Sequence, residues 1–306
     1  MSHLVDVRSE AEFSKGHIPG AHHIPLLHDS EHQEVGTLYK TNGFDTAFSK
    51  ALEFVGPKMS SFVSQLTAIT DKFQHVTLYC ARGGMRSQSL LWLYEQAGFQ
   101  VEVMPGGYKK YRDQVLHSFK KPLNLKIICG LTGTGKTDYL QQLDEQGKQV
   151  LNLEGLAKHR GSVFGPHSKP QPTSQQFENE LFEHLQLMDP FRTIWVEDES
   201  RMIGSCPIPK DLYEQMKLAP SVLLDIPIEV RIQNILKEYA PQNKSEVHQR
   251  IEQILLISKR LGLERTKCAI AAVQNGQFEL AVSLILPYYD KTYRHSFARR
   301  QAQGSP

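Results

Sequence analysis

The sequence predicts an α/β protein made of two successive domains, each built around a parallel sheet. Three observations lead there. The chain has 306 residues, enough for two domains at roughly 100–200 residues each. Short apolar β runs alternate with amphipathic helical stretches along most of its length. Two glycine-containing segments, "YCARGGMRSQS" and "GLTGTGKTDYL", each follow a β run and open a helical one.

Taken in order, "LVDV" is the first strand, and Ser9 with Glu12 forms an S-x-x-E capping box that starts a helix. "GHIPGA" is a Gly/Pro turn, and the His- and Gly-containing stretch after "HHIP" is expected to be a loop. A helical stretch follows from Asp45 to Thr70, broken at Gly56-Pro57. "HVTLYC" is a strand ending at Cys80, and "RSQSLLWLYEQAG" is an amphipathic helix with Gly98 as its C-cap. "VEVMPGG" adds a strand and turn, and "YKKYRDQVLHSF" closes the unit as a helix. The first domain is therefore placed at residues 1–118, with a linker at 119–124 containing "KKPLN". The second domain, 125–306, opens with the strand "LKIICG", the glycine-rich loop and a helix from Lys136. "QVLNLEG", "RTIWVEDE" and "SVLLDIP" supply three more strands, and Pro227 to Leu286 reads as a helical extension.

Composition narrows the class. No apolar run is long enough to span a bilayer, so no membrane partner is expected. The first residues lack a basic n-region and an apolar h-region, which favours a cytoplasmic protein. The four cysteines, Cys80, Cys129, Cys206 and Cys268, show no C-x-x-C spacing that would suggest zinc or a disulfide framework. A net charge of +2 hides three basic stretches. Residues 104–126 hold Lys109, Lys110 and Arg112, residues 155–170 hold Arg160, and residues 287–306 hold Tyr293 and Arg294. One such stretch is ordinarily a solvated face, but three in a nearly neutral chain point to a polyanionic partner.

Cys80 ends a strand directly before a helix, where backbone N–H groups and the helix N-terminus favour an anion. That field lowers a thiol pKa and makes a thiolate nucleophile available near neutral pH. Gly83 and Gly84 let the backbone curl into an anion-binding nest, and Arg82 and Arg86 can hold a bound anion. The C-x5-R spacing also has the signature length of cysteine-dependent phosphatases, which leaves phosphatase and sulfurtransferase chemistry both open.

Gly130, Gly133, Gly135, Lys136 and Thr137 lie in a segment that fits G-x-x-x-x-G-K-[ST] in a strand–loop–helix context. Its backbone can cradle phosphates, Lys136 can neutralise outer oxygens, and Thr137 can hold Mg²⁺. "RTIWVEDES" reads as a second acidic strand end, with Glu197 and Asp198 as candidates for positioning metal or water. Whether the loop holds ATP or GTP, or the diphosphate of another substrate, stays open at this point. In "LEGLAKHRGSVFG", Glu154, His159 and Arg160 are candidates for substrate or phosphate contact, against an equal expectation of structural turn residues.

The stretches "VDVRSEAEFSKGHIPGAHHIP", "LYCARGGMRSQSLLWLYEQAGF" and "MPGGYKKYR" resemble a rhodanese-like domain. The common rhodanese loop is one residue shorter, and phosphatases of that fold carry the longer one but usually place His where Tyr79 stands. Over nearly the whole chain, "GTLYKTNGFDTA", "CARGGMRS", "GLTGTGKT", "LEGLAKHRGSVFG", "VEDESRMIG" and "YYDKTYRHSF" resemble the tRNA 2-selenouridine synthase family. That resemblance implies a transferase with a rhodanese-like domain followed by a P-loop domain. Its substrate would be tRNA carrying 2-thiouridine at the wobble position. S-geranyl-2-thiouridine would be the intermediate, with geranyl diphosphate and selenophosphate as co-substrates. Cys80, Arg82 and Arg86 would then handle selenium, the P-loop with Mg²⁺ would grip geranyl diphosphate, and Lys109, Lys110, Arg112, Tyr293 and Arg294 would touch tRNA. The rival expectations are a phosphatase or sulfurtransferase fused to an NTPase, and a nucleotide-controlled binding protein.

Overall fold

A computed structural model describes residues 3–159, 170–239, 241 and 243–302, of which 238, 239 and 292–302 are described as backbone. The chain forms two compact units. The first comprises Met1–Ser118 with Gln175–Glu183, and the second comprises Phe119–Ser174 with His184–Pro306.

In the first unit, β1 (His3–Asp6), α1 (Glu10–Lys15), β2 (His22–His23), α2 (Asp29–Asn42), α3 (Phe44–Val55) and α4 (Met59–Ile69) precede β3 (His75–Tyr79). α5 (Met85–Gln96), β4 (Gln100–Val103) and α6 (Gly107–Ser118) follow. The four strands form one parallel sheet in the order β2-β1-β3-β4. Val5, Val7, Leu66, Val76, Leu78 and Tyr94 make its core, each fully removed from solvent. The Ser9–Glu12 capping box is present at α1.

The stretch after "HHIP" is a helix, α2, and not the loop expected from its His and Gly content. His28 caps it, with its backbone N–H donating to Glu31 at 2.8 Å. A histidine in the N-cap position carries no ordinary capping signal, and Gly36 inside the helix carries the signal of a loop. Gly43, at φ +87°, then separates α2 from α3.

The second unit begins with β5 (Leu125–Gly130), α7 (Lys136–Glu145), β6 (Gln149–Leu151) and α8 (Leu153–Ala157). α9 (Ser174–Gln186), β7 (Ile194–Glu197), β8 (Met202–Ile203), β9 (Cys206–Pro207), α10 (Lys210–Leu218) and β10 (Ser221–Leu224) follow. Its parallel sheet has the order β10-β5-β7-β6, and β8 and β9 form a small antiparallel pair. β5 is buried at Leu125, Ile127, Ile128 and Cys129, as a strand with parallel neighbours on both sides should be. Residues 119–124 are held to this unit by Gln215 of α10, whose amide donates to the carbonyls of Phe119 and Lys121 and accepts from the Leu123 N–H.

The middle of α9, Gln175–Glu183, belongs to the first unit although strands of the second sheet flank α9 in sequence. Phe177 and Leu181 are fully buried there, and the buried Asn179 donates to the Tyr108 hydroxyl and the His17 carbonyl. The helical extension consists of α11 (Ile228–Tyr239), α12 (Lys244–Leu256), α13 (Ser258–Leu261), α14 (Leu263–Gln274) and α15 (Phe278–Ala302). Ile232 and Ile235 of α11 pack on Val282 and Leu286 of α15. Among the described residues, no helix is long and apolar enough to cross a membrane.

Candidate functional site

The structure presents two chemical centres, one in each unit. In the first, Cys80 follows β3 directly and its loop runs to Gly84, the N-cap of α5. The Gly84 N–H donates to Cys80 Sγ at 3.2 Å, and the Ser87 hydroxyl donates to it at 3.3 Å. Burial alone pushes this thiol up, but donation from Ser87 and from the Arg82, Ser87 and Gly84 backbone outweighs it, so its pKa lies below the ordinary cysteine value. The loop is shaped by contact with the turn before α6. Tyr108 and Lys109 donate their N–H groups to the carbonyls of Cys80 and Ala81, both at 2.9 Å. Gly107, at φ +55°, comes so close that a Cβ there would lie 2.4 Å from the Cys80 carbonyl oxygen.

The two arginines of the loop differ. Arg82 is exposed beside the loop. Arg86 makes a two-point pair with Glu12 of α1, at 2.5 and 3.2 Å. Burial and then donation from Arg86 act oppositely on Glu12, and the donation prevails, holding its carboxyl below the usual range. Arg86 thus fixes α1 against the loop, and holding an anion would require it to share or leave Glu12. Beneath the loop, Asp6 and Arg8 form a buried pair at 2.6 Å, with the Arg8 guanidinium stacked 3.7 Å above the Tyr108 ring.

In the second centre, β5 and β7 are neighbours, with Ile128 opposite Glu197. This register brings the P-loop after β5 to the acidic end of β7. Thr137 Oγ1 donates to Glu197 Oε1 at 2.9 Å, and Lys136 Nζ donates to the Gly130 carbonyl at 3.3 Å. Gly133 and Gly135 both adopt positive φ, at 82° and 74°. A Cβ on Gly133 would meet the Arg231 carbonyl at 2.6 Å, because α11 packs against the loop. From α11, Arg231 donates to the Thr132 carbonyl at 2.9 Å and Asn234 to the Gly133 carbonyl at 3.0 Å. These bonds hold the Thr132 and Gly133 carbonyls on the α11 side of a loop of the type whose backbone can cradle a phosphate.

Glu197, Glu154 and Glu199 bring a carboxylate oxygen each to within 4.8 Å of one another. Burial, and then the charges of Glu154 and Glu197, push Glu199 up to about 9, with Lys136 acting in the opposite sense. The donor set, one hydroxyl and three carboxylates beside the P-loop, fits a hard divalent cation such as Mg²⁺. Asp198 is buried next to this group, its N–H bonded to the Ile128 carbonyl. His159 is half-buried after α8, against Gly204 of the β8–β9 turn, and its N–H donates to the Glu154 carbonyl at 3.1 Å.

Lys109 and Lys110 are exposed on α6. Arg112 is half-buried and paired with Glu178, and it donates to Asn179 at 2.5 Å, so it ties α6 to α9 within the first unit. Arg160 lies outside the described residues, as do the side chains of Tyr293 and Arg294. Four residues that local sequence reading passes over belong to these centres: Ser87, Glu199, Arg231 and Asn234. Ser87 and Glu199 sit inside motifs already noticed, whereas Arg231 and Asn234 reach the P-loop from about a hundred residues away.

Comparison with known proteins places both centres in a shared context. The family model described as the tRNA 2-selenouridine synthase AAA domain matches residues 123–305, and that of the rhodanese-like domain matches residues 1–114. The tRNA 2-selenouridine synthase of Shewanella sediminis is 34% identical over 98% of this chain and 89% of its own length. That of Pseudomonas putida strain F1 is 35% identical over 97% and 88%, and that of Bordetella petrii is 36% identical over 97% and 87%.

Proposed function

Because the chain belongs to the tRNA 2-selenouridine synthase family, we propose that it converts wobble 2-thiouridine to 2-selenouridine through an S-geranyl intermediate, in the cytoplasm. It is an enzyme acting on tRNA. Geranyl diphosphate alkylates the thiocarbonyl sulfur, releasing diphosphate and a proton. Selenophosphate and water then convert the S-geranyl nucleoside to 2-selenouridine, geranylthiol and phosphate. Selenium stays at the selenide level throughout, so no oxidant or reductant is consumed.

The observation that carries this reading is the pairing, in one chain, of a donor-stabilised thiol with a P-loop whose acidic strand end faces Thr137. Alkylation needs a site that grips a diphosphate and stabilises it as it leaves. The backbone after Gly130, with Lys136, supplies that grip. Mg²⁺, held by Thr137 and Glu197 with Glu154 or Glu199, would add charge neutralisation there. In this reading the loop serves geranyl diphosphate and not ATP or GTP. Displacement of the geranylthiolate needs selenide delivered beside the base. Gly84 N–H and Ser87 Oγ hold the Cys80 thiolate, whose attack on the phosphorus of selenophosphate would release hydrogen selenide and leave an S-phosphocysteine that water hydrolyses to phosphate. In this reading Arg82 meets the incoming anion, and Arg86 orients the loop through Glu12. Exposed Lys109 and Lys110 offer phosphate contacts for tRNA.

The test is mass analysis of wobble nucleosides after incubation with thiolated tRNA and geranyl diphosphate, with and without selenophosphate. S-geranyl-2-thiouridine is expected without selenophosphate and 2-selenouridine with it. Neither product appearing would overturn the proposal. Hydrolysis of a simple aryl phosphate at Cys80 would favour the phosphatase alternative instead.

A further inference from the structure

The first unit contains an apolar cavity of about 700 Å³ that none of the roles above uses. It lies between α2, α3 and α5, well inside the range of roughly 300–1,000 Å³ found for small-molecule sites. Tyr39, Phe44, Phe48, Leu52, Met85 and Trp92 line it, and each of these large side chains is between 39% and 60% exposed. A group of aromatic and aliphatic residues left open to water on one side is the informative kind of exposure, since it calls for an apolar occupant.

Two features say what that occupant is. The cavity is continuous with the cysteine loop: Gly84 donates its N–H to Cys80 Sγ, and the next two residues, Met85 and Arg86, are cavity wall. The wall is also sided. Its polar members include His32 and Arg86, which both face Glu12, and the exposed Lys40 and Ser89, while the side formed by α3 is apolar. A ligand fitting this arrangement has a polar, anion-forming end at the cysteine loop and a hydrocarbon tail of several carbons beyond it.

The geometry points to this cavity as the binding site for the geranyl chain of the S-geranyl nucleoside while selenium displaces its sulfur. This inference rests on the proposed S-geranyl route. The bond that breaks joins C2 of the base to the sulfur, so the tail must stay close to the thiol that releases the selenide. Holding the ten-carbon chain here would fix C2 at the Cys80 loop and retain the alkylated tRNA for the second step. The phosphate end of geranyl diphosphate, by contrast, is served at the P-loop of the other unit.

The chain has two tryptophans, Trp92 in this wall and Trp195 in β7, so fluorescence can report on the cavity directly. Full-length protein would be titrated with the nucleosides S-geranyl-2-thiouridine and S-methyl-2-thiouridine. The expected result is a saturable change with the geranyl compound that is lost in Trp92→Phe. The exposed Leu52→Asp should weaken that binding about tenfold or more, with no effect on S-methyl binding. Ala51→Trp, which fills the same cavity without adding charge, should do likewise. In turnover with selenophosphate, wild type should prefer S-geranyl over S-methyl tRNA, and both variants should erase the preference. Geranyl binding that is absent, or unchanged in both variants, would overturn the inference, as would a dimer that Leu52→Asp dissociates while nucleoside binding stays intact. If the wild type binds the geranyl nucleoside at Trp92 but turns over neither tRNA, the cavity assignment stands and the proposed selenation fails.

Discussion

The P-loop's shape depends on a contact that no motif announces, and this makes a quantitative prediction. Arg231 is almost completely buried, donates to the Thr132 carbonyl, and forms a two-point pair with Asp290 at 3.0 and 2.5 Å. Replacing Asp290 by Ala removes two of the three hydrogen bonds that the guanidinium makes among the described residues and leaves it buried with one neutral acceptor. Breaking such a pair costs about 3–5 kcal/mol. The remaining Thr132 bond and the 16% exposure of Asp290 place the expected loss near the lower end, about 3 kcal/mol. Asp290→Asn, which keeps one acceptor, should cost less. The assay is urea unfolding followed by Trp195 in a Trp92→Phe background, so that the signal belongs to the second unit. Calorimetric titration with Mg²⁺-diphosphate should show affinity falling about tenfold, because 1.4 kcal/mol of loop disorder suffices for that. Arg231→Lys should not restore it, since an ammonium cannot supply the planar fork. A loss below about 1 kcal/mol in Asp290→Ala, the value of an exposed pair, with unchanged diphosphate affinity, would show that this pair does not shape the loop.

Three other outcomes follow from the same geometry. Glu199 is held up to about 9 in the folded protein, so folding favours its protonated form. Its contribution is full below the ordinary glutamate range near 4.3 and is lost as pH rises towards 9. Glu199→Gln should therefore flatten the fall in stability across that window, and Mg²⁺ affinity in the wild type should rise with pH through it. Ser87→Ala removes a donor to Cys80 Sγ, so the midpoint of iodoacetamide alkylation should move up, slowing alkylation at pH 7 several-fold; an unmoved midpoint would exclude Ser87 as a thiolate stabiliser. Gly107→Ala would set a Cβ 2.4 Å from the Cys80 carbonyl oxygen; alkylation of Cys80 at pH 7 should slow while diphosphate binding in the second unit stays intact.

Much of this was legible because the informative residues are neighbours in sequence. The P-loop spans eight consecutive residues, and its strand and helix are where the apolar runs put them. The same holds for the cysteine loop, from β3 through Gly84. Other features lack any local signal. His28 caps α2 in a role that sequence rules give to Ser, Thr, Asp or Asn. Asn179 looks like a surface residue of an amphipathic helix, yet it is fully buried because its partners, His17 and Tyr108, lie far back in the chain. Among the acids of "VEDES", spacing cannot tell which carboxylate points at the P-loop; Glu154, from a different strand end, decides it by making a cluster with Glu197 and Glu199.

In the proposed function one chain carries out two chemically distinct steps at two centres. The most direct test is to give Cys80→Ala thiolated tRNA, geranyl diphosphate and selenophosphate, and to weigh the wobble nucleosides. S-geranyl-2-thiouridine should accumulate and 2-selenouridine disappear, while Lys136→Ala should yield neither. Equal loss of both products in Cys80→Ala, with the protein still folded, would contradict the two-centre division.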